Sequence, residues 1–159
     1  MAKNIIGLDE QQAQQLADSL NELLANYQVF YMNVRGYHWN IKGDKFFELH
    51  VKFEELYDDL LMKVDEVAER ILTLGYRPAH SYTDYVKMAE IQEVTNVEDG
   101  RKCAEGILAG LQILLERQRN LLHAADKAGD EGTNSLMSDY ITEQEKLVWM
   151  YRSFLRVIS

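Results

Sequence analysis

Two pairs of polar residues recur at helical spacing between residues 50 and 69. His50 precedes Glu54 by four positions, and Asp65 precedes Glu69 by the same interval. On an α-helix, residues four positions apart lie on one face, so each pair can present two side chains to one ligand. Imidazole nitrogens and carboxylate oxygens are ligands that transition metals use in proteins. The spacing therefore predicts a metal site.

The two pairs lie too far apart on one helix to share a metal ion. His50 and Asp65 are separated by about 22 Å at a rise of 1.5 Å per residue, whereas ligand atoms lie about 2 Å from a metal. A second copy of the helix, packed antiparallel about a two-fold axis, would bring the His50–Glu54 end of one copy against the Asp65–Glu69 end of the other. Because a two-fold contact is self-complementary, it would hold two equal sites.

A further candidate ligand lies upstream, at His38. It follows Val34 by four positions and continues an apolar stripe, next to Trp39. A histidine on an apolar stripe is more often a packed core residue than a ligand. Acidic pairs at this spacing are also common on helix surfaces. Spacing alone therefore leaves both interpretations open, a metal site and an ordinary helix surface.

Apolar residues at helical spacing predict four long helices that position these candidates. Their expected bounds are Asp9 to Gly43, Asp44 to Leu74, Asn96 to the turn AADKAGDEGT, and Thr133 to the C-terminal end, with a short helix from Asp84 to Ile91 behind Thr83 as cap. This order predicts an all-α, four-helix bundle of ferritin-like connectivity, with the short helix in the crossover between the second and third long helices. No boundary divides the chain, so residues 1–159 are expected to form one domain.

The second long helix has three faces on a helical wheel. Its core stripe consists of Phe53, Leu56, Leu60, Val64, Val67, Ile71 and Leu74. Its charged face consists of Glu48, Lys52, Glu55, Asp59, Lys63, Glu66 and Arg70. A third face, called the mixed stripe below, interleaves apolar and metal-capable residues: His50, Glu54, Tyr57, Leu61, Asp65, Ala68, Glu69 and Leu72. Because a solvated face would not usually carry leucines, the mixed stripe is expected to contact another subunit.

Composition narrows the classes of function. The chain has 159 residues, 47% of them hydrophobic, and carries 26 acidic against 17 basic residues, a net charge of −9. This composition excludes disorder, favours cation binding and opposes binding to a phosphate backbone. The single cysteine, Cys103, excludes an internal disulfide and indicates a reducing compartment. Neither a signal peptide nor an apolar run of about 20 residues is present, so a cytoplasmic protein without a membrane span is expected.

Several motifs together resemble a known family. The chain contains HWN-x-x-G, LH-x-x-FEELYDD, DE-x-AER, GDEGT and E-x-EK-x-x-WM in this order. This pattern resembles the Dps family, the mini-ferritins named after DNA-binding proteins of starved cells, over nearly the whole chain. The resemblance implies a hollow dodecamer that oxidises Fe(II), with dioxygen or preferentially with hydrogen peroxide, stores Fe(III) as a mineral and so protects against oxidative damage.

The resemblance also implies roles for individual residues. By position, one subunit supplies His38, His50 and Glu54, and its mate supplies Asp65 and Glu69, to a ferroxidase site for two iron ions at the two-fold interface, with no organic cofactor. Many members of the family have aspartate where this chain has Glu54. Glu55 corresponds to a mineral-nucleating acid, and the family's three-fold pore region corresponds to three further acids: Asp130, Glu131 and Asp139. An ordinary solvated turn is the alternative for these three.

Two rival functions differ from iron oxidation. One is a nucleoid-compacting protein with a secondary metal site, and the other is a structural cage without oxidation activity. Family members that bind DNA directly often carry a tail rich in lysine and arginine, but the N-terminal segment here offers only Lys3. We therefore expect weak or no DNA binding and no stable association with the nucleoid.

Overall fold

In the computed structural model, which describes residues 2–156, the chain is built from five α-helices. They are α1 (Glu10–Asn40), α2 (Phe46–Thr73), α3 (Tyr82–Met88), α4 (Gly100–Ala128) and α5 (Glu131–Leu155). Helices α1 and α2 pack as one hairpin, α4 and α5 pack as a second, and α1 joins the two hairpins by packing on α4. The short helix α3 packs on α1 in the crossover. The predicted all-α bundle with one additional short helix is confirmed.

The helix ends differ from the expected bounds where a different residue caps them. Asp9 caps α1 as predicted, because its carboxylate accepts a hydrogen bond from the backbone N–H of Gln12. Ser81 rather than Thr83 caps α3, since the Ser81 hydroxyl accepts from the N–H of Asp84. The extended backbone at Ala89 then ends α3 before Ile91.

Two long helices also begin at unpredicted positions. Asp99 caps α4, so that α4 begins at Gly100, several residues after Asn96. Asp130 caps α5, so that α5 begins before Thr133 instead of after it. In both cases an aspartate accepts a hydrogen bond from a backbone N–H three residues on, which satisfies a donor that the first helical turn leaves free.

The faces of α2 are arranged largely as the periodicity predicts. The core stripe is buried except for the partly buried Val64. In the mixed stripe, Leu61 and Leu72 are 49% and 58% exposed in the single chain. The prediction for Lys63 is wrong, because this residue of the charged face is only 3% exposed.

The burial of Lys63 has an electrostatic cause. Its ammonium group lies 2.7 Å from a carboxylate oxygen of Asp59 and 2.9 Å from one of Glu143 on α5. Burial by itself lowers the pKa of Lys63, but the hydrogen bonds that its ammonium group donates to both carboxylates outweigh burial, and the pKa is raised above its usual value. The paired ammonium therefore stays charged and ties α2 to α5.

The packing of α1 against α4 fixes the position of α1, the helix that carries His38. Two glycines of α4 lie directly against side chains of α1: a Cβ atom at Gly106 would collide with the Tyr37 hydroxyl, and one at Gly110 would collide with the Phe30 ring. The close approach holds the C-terminal half of α1 in place. No helix within residues 2–156 is long and apolar enough to cross a membrane.

Candidate metal centre

His38 and His50 are joined by a reciprocal pair of hydrogen bonds. The Nδ1 atom of His38 lies 2.6 Å from the carbonyl oxygen of His50, and the Nδ1 atom of His50 lies 2.7 Å from the carbonyl oxygen of His38. The two imidazole rings stack with centres 3.8 Å apart and planes 11° from parallel. The contact locks the last turns of α1 to the first turns of α2.

These hydrogen bonds determine which nitrogen of each ring can bind a metal. A carbonyl oxygen only accepts, so Nδ1 must carry the proton in both rings. The lone pair of each neutral ring therefore lies on Nε2, the tautomer that a metal ligand needs. The Nε2 atom of His38 lies 3.5 Å from a carboxylate oxygen of Glu54. His38 thus stacks on one imidazole and has the Glu54 carboxylate beside its unprotonated nitrogen.

Neighbouring aromatic residues hold the two imidazole rings in place. Phe46, the first residue of α2, stacks on His50 with ring centres 4.9 Å apart. Tyr57 packs edge-on against His38, with ring centres 5.2 Å apart. Burial, followed by the nearby Glu54 carboxylate, raises the pKa of Tyr57 above its usual value, so its hydroxyl stays protonated. His38 is only 6% exposed and has little freedom to move.

The other expected ligands lie elsewhere on α2. Asp65 and Glu69 are exposed side chains in the half of α2 that lies away from His50. Among residues 2–156 of one chain, no three His, Cys, Asp or Glu side chains come close enough together to hold a metal ion. A single chain therefore brings His38 into contact with His50 and Glu54 without completing a metal site, and Asp65 and Glu69 lie further along α2.

A cluster around Arg35 was not anticipated from the sequence. Its guanidinium carbon lies 4.9 Å from the ring centre of Trp39, 5.4 Å from that of Tyr57 and 5.8 Å from that of Tyr31. A guanidinium nitrogen also donates to the Tyr31 hydroxyl at 2.8 Å. The signal was present in the spacing of Tyr31, Arg35 and Trp39, which recur every four residues and so line up on one face of α1.

Comparison with known proteins places the chain in a family. The ferritin-like domain family matches residues 17–159. The chain is 43% identical to a DNA protection during starvation protein of Porphyromonas gingivalis, over 94% of each protein, and 36% identical to DNA protection during starvation protein 2 of Bacillus anthracis, over 89% of this chain and 97% of that one. The chain belongs to the Dps branch of the ferritin-like family.

A solved structure supports the same membership. A Dps protein from Vibrio cholerae O1, described as a member of a broad superfamily of ferritin-like diiron-carboxylate proteins, superposes with a TM-score of 0.96. It is 62% identical in sequence, and 98% of each chain is covered. The resemblance carried by the sequence motifs is therefore confirmed, and His38, His50 and Glu54 lie at the junction of α1 and α2 in a Dps-family fold.

Glu55 lies on the opposite side of α2 from this junction. It lines a cavity of about 570 Å³ between α2 and α5, which has an apolar floor and a charged rim. Its carboxylate pairs with Lys52 at 3.1 Å. Burial, with the Glu55 charge as a smaller cause, raises the pKa of Tyr151 in the cavity wall. The side chain of Glu55 is exposed.

The structure gives Asp130 a different role from that of a pore-lining acid. Asp130 is only 2% exposed, and its carboxylate pairs with Arg70 of α2 at 2.6 Å. The same carboxylate accepts from the backbone N–H and the hydroxyl of Thr133. These contacts leave Asp130 unable to face a channel, so the expectation is corrected. Glu131 and Asp139 remain exposed.

Replacing Asp130 should therefore reduce stability. We expect Asp130→Ala to lower the free energy of unfolding by about 3 kcal/mol, because it removes a helix cap and leaves the Arg70 charge without its partner. Urea unfolding followed by circular dichroism measures the change. The matched variants Glu131→Ala and Asp139→Ala should change stability by less than about 0.5 kcal/mol, because both side chains are exposed. Equal losses in all three variants would contradict the structural role of Asp130.

Proposed function

We propose that the chain is a ferroxidase and iron-storage protein. Fe(II) is oxidised, preferentially with hydrogen peroxide, at a site shared between two subunits, and Fe(III) is stored as a mineral inside a hollow dodecamer. The observation that carries this proposal is the paired orientation of His38 and His50, whose Nδ1 atoms are both engaged by carbonyl oxygens, with Glu54 beside the Nε2 atom of His38. Iron is the substrate and the stored cargo of this site.

The donor set suits both oxidation states of iron. Imidazole nitrogens bind Fe(II) with moderate affinity, and carboxylate oxygens prefer the harder Fe(III). His38 and His50 supply nitrogen from one subunit, while Asp65 and Glu69 of the other subunit supply oxygen. Glu54 adds a carboxylate with a longer reach than the aspartate of many relatives, and its exposed side chain can adjust to the metal position.

Two Fe(II) ions held at one site match the chemistry of peroxide. Hydrogen peroxide takes up two electrons and two protons to give two water molecules, and each Fe(II) ion supplies one of the electrons. A single Fe(II) ion supplies only one electron and would release a hydroxyl radical. The paired arrangement therefore fits a role in protection against oxidative damage.

The exposed mixed stripe supports a site that two subunits share. Leu61 and Leu72 are about half exposed in the single chain, yet they flank Asp65 and Glu69 on the same face of α2. An antiparallel contact between two copies of α2 would bury these leucines and would complete two metal sites at the same time. Dps-family membership supports the shell of twelve subunits.

Three exposed acids have proposed roles in iron traffic. Glu131 and Asp139, near the N-terminal end of α5, would attract Fe(II) at a three-fold pore through their negative charge. Glu55, on the charged face of α2, would bind Fe(III) where mineral growth begins. All three side chains are exposed in the single chain.

Removing both candidate imidazoles tests the site directly. We expect His38→Ala with His50→Ala to slow peroxide-dependent Fe(II) oxidation at least about tenfold, because loss of ligands costs at least as much as loss of their supporting contacts. Stopped-flow absorbance of Fe(III) measures the rate, and native mass spectrometry checks assembly. His80→Ala with His123→Ala removes the two remaining histidines and is the matched control. An unchanged rate in the assembled His38 and His50 variant would show that the site assignment is wrong.

Mixed assemblies test whether two subunits share each site. His50→Ala and Asp65→Leu subunits are each expected to be inactive alone, but a mixed interface holds one whole site and one doubly defective site. Random reassembly of equal amounts should therefore restore about one quarter of the wild-type sites.

The matched control for mixed assemblies combines His38→Ala with His50→Ala subunits. Both defects lie in the same half of the site, so every interface stays incomplete and no recovery is expected. Recovery in this control, or none in the first mixture, would contradict a shared site.

DNA binding is the second candidate function, since several relatives are named for DNA protection. The net charge of −9 per chain opposes it, and the N-terminal segment lacks a basic run. At about 0.1 M salt we expect no gel retardation of duplex DNA by micromolar protein, because charge repulsion persists at this ionic strength. The same protein with an added lysine-rich N-terminal extension should retard DNA. Clear retardation of DNA by the unmodified protein would contradict the expectation that the protein does not bind DNA.

A further inference from the structure

Arg35 is a partly buried cation for which residues 2–156 of its own chain supply no counter-ion. No ion pair among residues 2–156 includes it. Its Nε atom is buried and has no hydrogen-bond partner. The carboxylate of Glu54, which also lies near Tyr57, is directed to His38. A buried N–H and a charge without a partner are both costly, so an anion is expected to approach from outside the chain.

The rings around Arg35 place its guanidinium beside the mixed stripe. Trp39, one turn further along α1, is 58% exposed and lies nearest to the guanidinium. Tyr57 belongs to the mixed stripe of α2 and lies between Arg35 and His38. An anion that reaches Arg35 must therefore approach over the face on which the second subunit is proposed to pack.

The position of Arg35 along the bundle identifies which anion this is. Helices α1 and α2 run antiparallel, and two contacts give their register: His38 packs on His50, and Tyr31 packs on Tyr57. A step of one residue toward the C-terminus of α1 therefore corresponds to a step of one residue toward the N-terminus of α2. By this count Arg35 is level with residue 53 of its own α2.

The two-fold contact relates this level to the second copy. In the proposed antiparallel contact, the centre of the His50–Glu54 pair of one copy, residue 52, faces the centre of the Asp65–Glu69 pair of the other copy, residue 67. Residue 53 of the first copy then faces residue 66 of the second. Asp65 of the second copy is then within about 1.5 Å of the level of Arg35, and Glu69 is about 4.5 Å from it. Glu66 is directed elsewhere, because its carboxylate accepts from the Tyr140 hydroxyl of its own chain at 2.8 Å.

We propose that Arg35 binds the carboxylate of Asp65 from a second copy of this chain. The inference rests on the proposed two-subunit site and adds a residue to it. Arginine donates in a fixed planar geometry, so it can hold one carboxylate oxygen and leave the other free. Arg35 is thus a positioning residue that aims Asp65 at the imidazoles of His38 and His50.

A charge exchange tests the pairing without any metal. Arg35→Asp and Asp65→Arg are made singly and together, and dissociation of the EDTA-treated assembly in urea is followed by analytical ultracentrifugation. Each single reversal should weaken association at least about tenfold, because it places like charges face to face. The double variant should recover most of that loss. Arg119→Asp is the control for net charge, since Arg119 pairs with Glu145 within its own chain.

Each outcome bears on a different part of the inference. Circular dichroism confirms that the variant chains fold, and Arg35→Gln with Asp65→Asn repeats the test without reversed charges. If the wild-type chain assembles but the loss of association in each double variant equals the sum of the losses in its two single variants, the pairing is overturned and the shared site is not. A wild-type chain that stays monomeric would overturn the shared site and the pairing together. An Arg119→Asp variant as weak as Arg35→Asp would also overturn the pairing, because net charge would then explain the loss.

Discussion

The fixed rise of the α-helix is the constraint on which the proposed site depends. Along α2, His50 and Asp65 stand about 22 Å apart, and no change of side-chain rotamer can close that distance. The reciprocal hydrogen bonds between His38 and His50 make the constraint stricter, because they fix one half of the site to the end of a rigid helical hairpin. Ligands for a second half must therefore come from another chain or from solvent.

The interior of the bundle differs in chemistry from the candidate ligands at the junction of α1 and α2. Ferritin-like proteins commonly hold metals between their helices, on carboxylates and histidines that project inward. Here Tyr27, Gln118 and Gln144, from three different helices, form a closed ring of hydrogen bonds in that interior. Each group in the ring satisfies its neighbour, and none is a carboxylate or an imidazole. The buried layer therefore stabilises the bundle without offering a metal site.

Periodicity predicted the helices, the core stripe of α2 and the residues of the candidate site, because each of these depends on spacing within one helix. Features that depend on contacts between helices were out of reach. The burial of Lys63 requires Glu143, which lies 80 positions further along the chain. The orientation of His38 depends on the rotation of α1 against α2, which the packing of the whole bundle decides. Asp130 belongs to a motif that suggests an exposed turn, and only Arg70 reveals it as a buried cap.

The distribution of charge links the two sides of α2. On the side of Glu55, most charged groups find partners within the chain, as Lys52 and Lys63 do. On the side of the mixed stripe, Arg35 lacks such a partner, and the Asp65 carboxylate lies in no ion pair among residues 2–156. A face that satisfies its own charges can remain exposed to solvent or iron. A face with charges of both signs left over is complementary to its own two-fold copy, and for this reason assembly and metal binding should depend on the same residues.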